Sequence, residues 1–342
     1  MLLNQCKNLL SISLLLVSVV ASVKAGEFDA KKHVSYEMYC RFSNETTTTT
    51  LHQIDTSILR NENLVVEGQG DNRVLTSITN CRLNWNPNRP TRIFIHGYYS
   101  DRDTLKKYAK AYLERDDYNF IAINWLHGAQ TINYVKARYR ILEVGKAVAR
   151  FIEYLVTIGL NLDDLTCVGH SLGAHTCGIV GKNLKSGKLA IIFALDPALP
   201  LFHLKDQTCR LHYDDAKYVQ VIHTSGGYLG VKHPIGHADF YPNFGCVQPL
   251  CRSFIPFAGE ICSHSRVHDL FIESLSRATR FWATKCTSYG EIYEERCSRH
   301  GERALMGGDI ENEERPFGLY YLQTNGKSPF STFRLQEDIV FP

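Results

Sequence analysis

The chain has 342 residues, 44% hydrophobic and 21% charged, and its 38 Lys and Arg against 35 Asp and Glu leave a formal net charge of +3. These proportions exclude a disordered chain, a collagen-like repeat and a coiled coil. So small a charge over this length, with no dense Lys/Arg stripe, excludes nucleic acid as a partner.

In chain order the first element is a targeting segment. Lys7 precedes the apolar run from Leu9 to Val23, and Val23-Lys24-Ala25 has the small-x-small character of a signal-peptidase site. Residues 1–25 are read as a cleaved secretory signal. The run is shorter than the roughly 20 residues an uncleaved anchor would need. Later apolar runs are short and interrupted by charge, so no transmembrane segment is expected and the protein should be extracellular. Of the eleven cysteines, Cys6 leaves with the signal; the remaining even number, in an oxidising compartment, implies disulfides. Asn44-Glu45-Thr46 is a glycosylation sequon.

From Arg92 to Thr224 short β-branched runs alternate with helix-period stretches. The runs are Arg92–Ile95, Phe120–Ile123, Leu165–Val168, Ala190–Leu195 and Tyr218–Ile222. Between them Ile141, Val144, Val148, Phe151, Ile152 and Leu155 recur at helical spacing and mark one apolar face. Continuous apolar strands separated by helices predict an α/β protein with a mostly parallel central sheet covered on both faces. No linker or repeat divides residues 26–342, which are read as one domain. The stretch from about Gly301 to Pro342 reads as irregular strand and loop closing that domain.

Gly169-His170-Ser171-Leu172-Gly173 follows the strand ending at Val168 and precedes a helix-compatible stretch. On a strand-to-helix turn, flanking glycines permit the tight bend that exposes a serine hydroxyl, and the amide of Leu172 then lies beside the point of attack. A serine needs a base within hydrogen-bond reach and a carboxylate to orient that base. Asp196 ends an apolar strand and is stopped by Pro197, so it is the candidate acid; Asp206, Asp214, Asp215 and Asp239 read as loop, turn or ion-pair residues. His264, placed in a loop after Cys262 and before the run Val267, Leu270, Phe271 and Leu275, is the first candidate base, with His268 second. His96-Gly97-Tyr98 follows the first core strand, and the Tyr98 amide is assigned as the second oxyanion donor.

Together these residues resemble the pancreatic lipase family, especially its short secreted phospholipase A1-type members of insects and wasp venoms. The matching segments are Ile95–Tyr98, Val168–His175, Leu195–Ala198, Val221–Thr224, Asp239–Asn243 and Cys262–Arg266, in the family's order. The resemblance implies an α/β-hydrolase fold, a triad of Ser171, Asp196 and His264, and an oxyanion hole from Tyr98 and Leu172. It also implies a disulfide-closed lid between Cys251 and Cys262. Only ten residues lie between those cysteines, about half the lid of the family's triacylglycerol lipases, and the loop from Ser225 to His237 is likewise short. Short loops bury less of a bulky neutral lipid, so the resemblance favours hydrolysis of the sn-1 ester of glycerophospholipids at a lipid-water interface. A triacylglycerol or galactolipid lipase, and a non-catalytic carrier like the family's yolk proteins, are the competing readings. A monomer is the family expectation.

Departures from the family carry their own expectations. Its carboxyl-terminal lipid-binding sandwich has no counterpart here. Its calcium-binding acids match Gln207, His212 and Asp215, two of which lack the charge, so neither metal nor cofactor is expected. Its usual Asp before Trp125 is Asn124, which the sequence does not explain. Among the cysteines, Cys286 with Cys297 is expected as a second local disulfide. Cys167 and Cys177 are expected as buried thiols, and by elimination Cys40 pairs with Cys81 and Cys209 with Cys246.

Overall fold

The structure, a computed structural model, describes residues 28–39, 46–50, 85–297, 301–309 and 315–334. The signal segment, Cys40, Asn44 and Cys81 lie outside the described residues. Two compact units are formed: an amino-terminal one from the described residues up to Ala194 with Leu201–Tyr218, and a carboxyl-terminal one from Leu195–Pro200 and Val219 onward.

In the amino-terminal unit the elements are α1 (Ala30–His33), β1 (Ser35–Tyr39), β2 (Thr46–Thr50), β3 (Thr91–Ile95), α2 (Arg102–Arg115), β4 (Asn119–Asn124), α3 (Leu126–Ala129), α4 (Tyr134–Thr157), β5 (Leu165–His170), α5 (Leu172–Asn183) and β6 (Leu189–Leu195). The strand order is β6-β5-β3-β4-β1-β2. β3 pairs parallel with both β4 and β5, whereas β1 pairs antiparallel with β4 and β2. Every residue of β3, β4, β5 and β6 is buried, which is why these strands read as unbroken apolar runs rather than alternations. α4 buries the six residues of the apolar face read from the sequence, and its Phe151 stacks on Tyr36 of β1 at 3.9 Å.

The carboxyl-terminal unit contains the end of β7 (Ala216–Ile222), then β8 (Ala238–Pro242), α6 (Ala258–Ser274), β9 (Thr279–Arg280), β10 (Trp282–Cys286), α7 (Tyr289–Tyr293), β11 (Arg303–Leu305), β12 (Gly318–Leu322) and β13 (Phe333–Arg334). Its strand order is β11-β10-β12-β8-β7. β7, β8 and β12 run parallel, and β10 is antiparallel to β12 and β11. The described part of the last forty residues is therefore more than irregular strand and loop. Gly318–Leu322 pairs residue for residue with Ala238–Pro242 and buries Tyr320 and Leu322, a long-range pairing that local composition does not reveal.

Candidate active site

The candidate nucleophile turn is built from β5 and α5. β5 ends at His170, α5 begins at Leu172, and Ser171 between them has φ 55° and ψ −118°. A non-glycine residue holds such a conformation only where its surroundings over-determine it, at a cost of about 1–3 kcal/mol. Two constraints are visible. A Cβ on Gly173 would stand 2.0 Å from the carbonyl oxygen of Ile95, so α5 can approach β3 only with glycine there. Cys167 of β5 and Cys177 of α5 are joined by a disulfide that brackets the turn. This corrects the expectation of two buried thiols: their Cα atoms lie 6.0 Å apart, within bridging range, because the sharp bend folds the helix back onto its own strand. The Leu172 amide is the first in α5 and has no carbonyl one turn behind it within the helix.

The loop after β3 is held by His96, a residue the sequence analysis used only as part of a motif. His96 is fully buried; its Nδ1 contacts Gly97 O at 2.9 Å, and its Nε2 accepts from the Trp125 amide at 3.1 Å. Only the neutral ring with its proton on Nδ1 satisfies both contacts, and burial pushes its pKa down to about 4. The Trp125 indole N–H donates back to His96 O at 2.9 Å. Tyr98 is anchored by its hydroxyl, which donates to Thr131 O at 2.5 Å. Gly97 brings the loop against the nucleophile: a Cβ there would lie 2.8 Å from Ser171 Cβ. Asn124 also finds its reason. Its side chain donates to the buried Glu37 at 2.6 Å and accepts from the Leu126 amide at 3.1 Å, where an Asp would set a second carboxylate against Glu37.

The candidate acid and base lie together in the carboxyl-terminal unit. Asp196 is fully buried, with φ 42° just before Pro197, and its Oδ1 accepts from the amides of Thr224 at 2.7 Å and Ser225 at 3.0 Å. Its other oxygen, Oδ2, is 2.5 Å from His264 Nδ1. With Nδ1 donating to a carboxylate, His264 presents Nε2 as the basic nitrogen. His264 is not on a loop, as expected, but within α6: the helix starts at Ala258 and takes in Cys262, so the imidazole is carried on rigid backbone. The other acids have the structural roles expected of them. Asp206 caps a turn through Thr208, Asp215 pairs with Lys182, and Asp239 pairs with His223 at 2.9 Å.

A model of the Lipase family matches residues 19–330 of the chain. The chain belongs to the pancreatic lipase family. It is 38% identical over 272 residues to Lipase member H-A of Xenopus laevis, covering 75% of this chain and 59% of that one. It is 31% identical to Pancreatic triacylglycerol lipase of Myocastor coypus (74% and 61% covered) and 31% identical to Phospholipase A1 member A of Rattus norvegicus (72% and 57% covered). The chain spans about half to three-fifths of the length of the first such curated relatives. Its mostly parallel sheet flanked by helices is the α/β-hydrolase arrangement.

Other expectations meet mixed outcomes in the structure. The residues at the family's calcium position do not fit that ion: Asp215 is taken by the ammonium of Lys182 and by the His212 amide, and burial pushes its carboxyl above the ordinary range. The lid disulfide Cys251–Cys262 and the Cys286–Cys297 bond are formed as expected. Cys209 and Cys246 are not joined. Cys209 is a half-exposed thiol, and Cys246 is buried with its Sγ 3.3 Å from the Tyr289 hydroxyl. Elimination supposed that every cysteine left over must pair, whereas these two are thiols. Within and beside the lid, Leu250, Phe254, Ile255, Phe257 and Ile261 are exposed, Phe254 completely.

Proposed function

We propose that this protein is a secreted serine esterase that hydrolyses the sn-1 ester of glycerophospholipids through an acyl-enzyme. Two observations, one in each unit, support this: the strained Ser171 turn, and the His264 imidazole seated on the doubly hydrogen-bonded carboxylate of Asp196. His264 takes the Ser171 proton as Oγ bonds to the ester carbonyl carbon, and the Tyr98 and Leu172 amides hold the oxyanion. The carbon–oxygen ester bond then breaks, His264 protonates the departing lysophospholipid, and water attacks the acyl-enzyme by the same steps to release the fatty acid.

Secretion is supported by the signal-like first 25 residues and by three disulfides. Two features support a lipid-water interface and a polar head group. The lid is short and apolar, and the Ser225–His237 loop is curled tightly on itself and on the acid turn, with Gly230 N–H to Ser225 O at 3.0 Å and Val231 N–H to Pro197 O at 2.7 Å. Such a loop offers no long flap over a neutral lipid. Triacylglycerol hydrolysis is the second reading, favoured by equal identity to the pancreatic and phospholipase relatives.

Incubation with phosphatidylcholine bearing different chains at sn-1 and sn-2, beside triolein, separates these readings. Release of the sn-1 acid alone is the expected result, and preferential triolein hydrolysis overturns it. Ser171→Ala should abolish turnover and labelling by a fluorophosphonate. A wild-type protein that binds lipid and is neither labelled nor active is a carrier.

A further inference from the structure

The acid–base half of the site contains a buried polar residue with no part in the chemistry proposed above. Gln248 is fully buried, and each of its polar groups is engaged. Its backbone N–H donates to Ser263 Oγ at 3.1 Å, and its carbonyl accepts from the Cys251 amide at 3.1 Å. Its side-chain amide donates to Thr224 O at 3.1 Å and Pro242 O at 3.0 Å, and Oε1 accepts from Asn243 Nδ2 at 2.9 Å. The orientation of that amide is determined by its surroundings. Two carbonyls face the NH2, and Asn243 must present its own NH2 to Gln248 because its Oδ1 accepts from the Thr324 amide at 3.0 Å.

Two of these partners lead directly to the reacting pair. Thr224, whose carbonyl is held by Gln248, gives its amide to Asp196 Oδ1 at 2.7 Å. Ser263, whose hydroxyl takes the Gln248 N–H, immediately precedes His264 on α6. One residue thus joins the turn that grips the carboxylate, through its side-chain amide, to the helix that carries the imidazole, through its backbone N–H, and those two groups meet at 2.5 Å. Its carbonyl also receives the amide of the first lid cysteine, so the anchor of the lid shares the same support.

We propose that Gln248 is a positioning residue that sets the distance and angle between Asp196 and His264. The proposal rests on reading those two residues as the acid–base pair. Only a primary amide of this length donates to both carbonyls while accepting from Asn243. Gln248→Met keeps the length and volume but leaves Thr224 O and Pro242 O without their donors and Asn243 without its acceptor. A displacement of about 1 Å at a reacting group lowers the rate on the order of 10²-fold. Because Gln248 is fully buried and its polar groups are all engaged within the protein, the loss falls on kcat and not on KM.

The test compares wild type, Gln248→Met and Ser274→Ala on a soluble short-chain ester, together with the downfield proton resonance of His264 Nδ1–H, assigned by its loss in His264→Ala. Ser274 is a buried hydroxyl that donates to Phe271 O at 2.6 Å and accepts from the Gly308 amide at 2.8 Å, so its removal controls for general loosening of the same unit. A fall in kcat of tenfold or more in Gln248→Met with unchanged KM and a shifted His264 resonance, and neither change in Ser274→Ala, is expected. Wild-type kcat and an unmoved resonance in Gln248→Met overturn the proposal. If Gln248→Met does not fold, Ser263→Ala, which removes only the attachment beside His264, decides by the same two readouts. Should Ser171→Ala prove as active as wild type, the esterase reading fails, while the resonance comparison still decides for or against Gln248.

Discussion

At the scale of single residues, hydrogen-bond geometry determines which protonation states the site can use. Asp196→Asn isolates this. Its remaining carbonyl would keep the Thr224 and Ser225 amides, so its NH2 would face His264 Nδ1 and force that nitrogen to accept. The proton would then sit on Nε2, where the base is needed, and kcat should fall about 10⁴-fold with little change in stability; steady-state kinetics beside urea denaturation measures both. His96 predicts a pH effect on stability. Its pKa is lowered from 6.5 to about 4 by burial, so the unfolded chain binds the proton more readily. The stabilisation is fully present above pH 6.5 and is lost as pH falls from 6.5 through 4, reaching about 3 kcal/mol. The stability gap between wild type and His96→Asn should narrow by that amount between pH 7.5 and pH 4 in urea titrations; parallel curves refute the assignment.

At the scale of elements, the nucleophile turn and the lid are each defined by a disulfide, with different consequences. The Cys167–Cys177 bond ties β5 to α5 across the strained serine. Replacing both cysteines by alanine should cost about 2–4 kcal/mol of stability, and it should also lower kcat, because the strain at Ser171 loses one of its restraints. Thermal melts and ester kinetics on the same double variant test whether the two losses occur together. The lid bond closes a segment whose Phe254 and Ile255 are exposed to solvent. Phe254→Ser with Ile255→Ser should weaken binding to phospholipid vesicles by roughly tenfold or more, as burying apolar side chains contributes about 1.5–3 kcal/mol each, and leave hydrolysis of a soluble ester unchanged. Equal loss on both substrates would assign the lid to the chemistry rather than to the interface.

At the scale of the whole molecule, legibility follows the range of the interactions. The core strands and the α4 face could be read directly, because burial on both sides of a parallel strand leaves a local apolar run and helix burial leaves a 3.6-residue period. Ser171 and Asp196 could be read for a similar reason: glycines around a serine and a proline after an aspartate are local marks of sharp turns. Placement of His264 in α6, the β12–β8 pairing and the Cys167–Cys177 bond were not legible in this way, since each depends on chain segments brought together from a distance or folded back at the bend. The same is true of His96 and Gln248, whose importance lies wholly in what surrounds them.

The sequence by itself determined the family, through motifs in a characteristic order, and the core strands and the α4 face, through short patterns of polarity; glycine and proline nominated a candidate serine and acid. Tertiary structure decided which of the described cysteines bond, which nitrogen of His264 faces Asp196, and which buried hydrogen bonds link the Asp196 turn to α6. Those are properties of distances and of buried hydrogen bonds between residues far apart in the chain, and a one-dimensional pattern does not contain them.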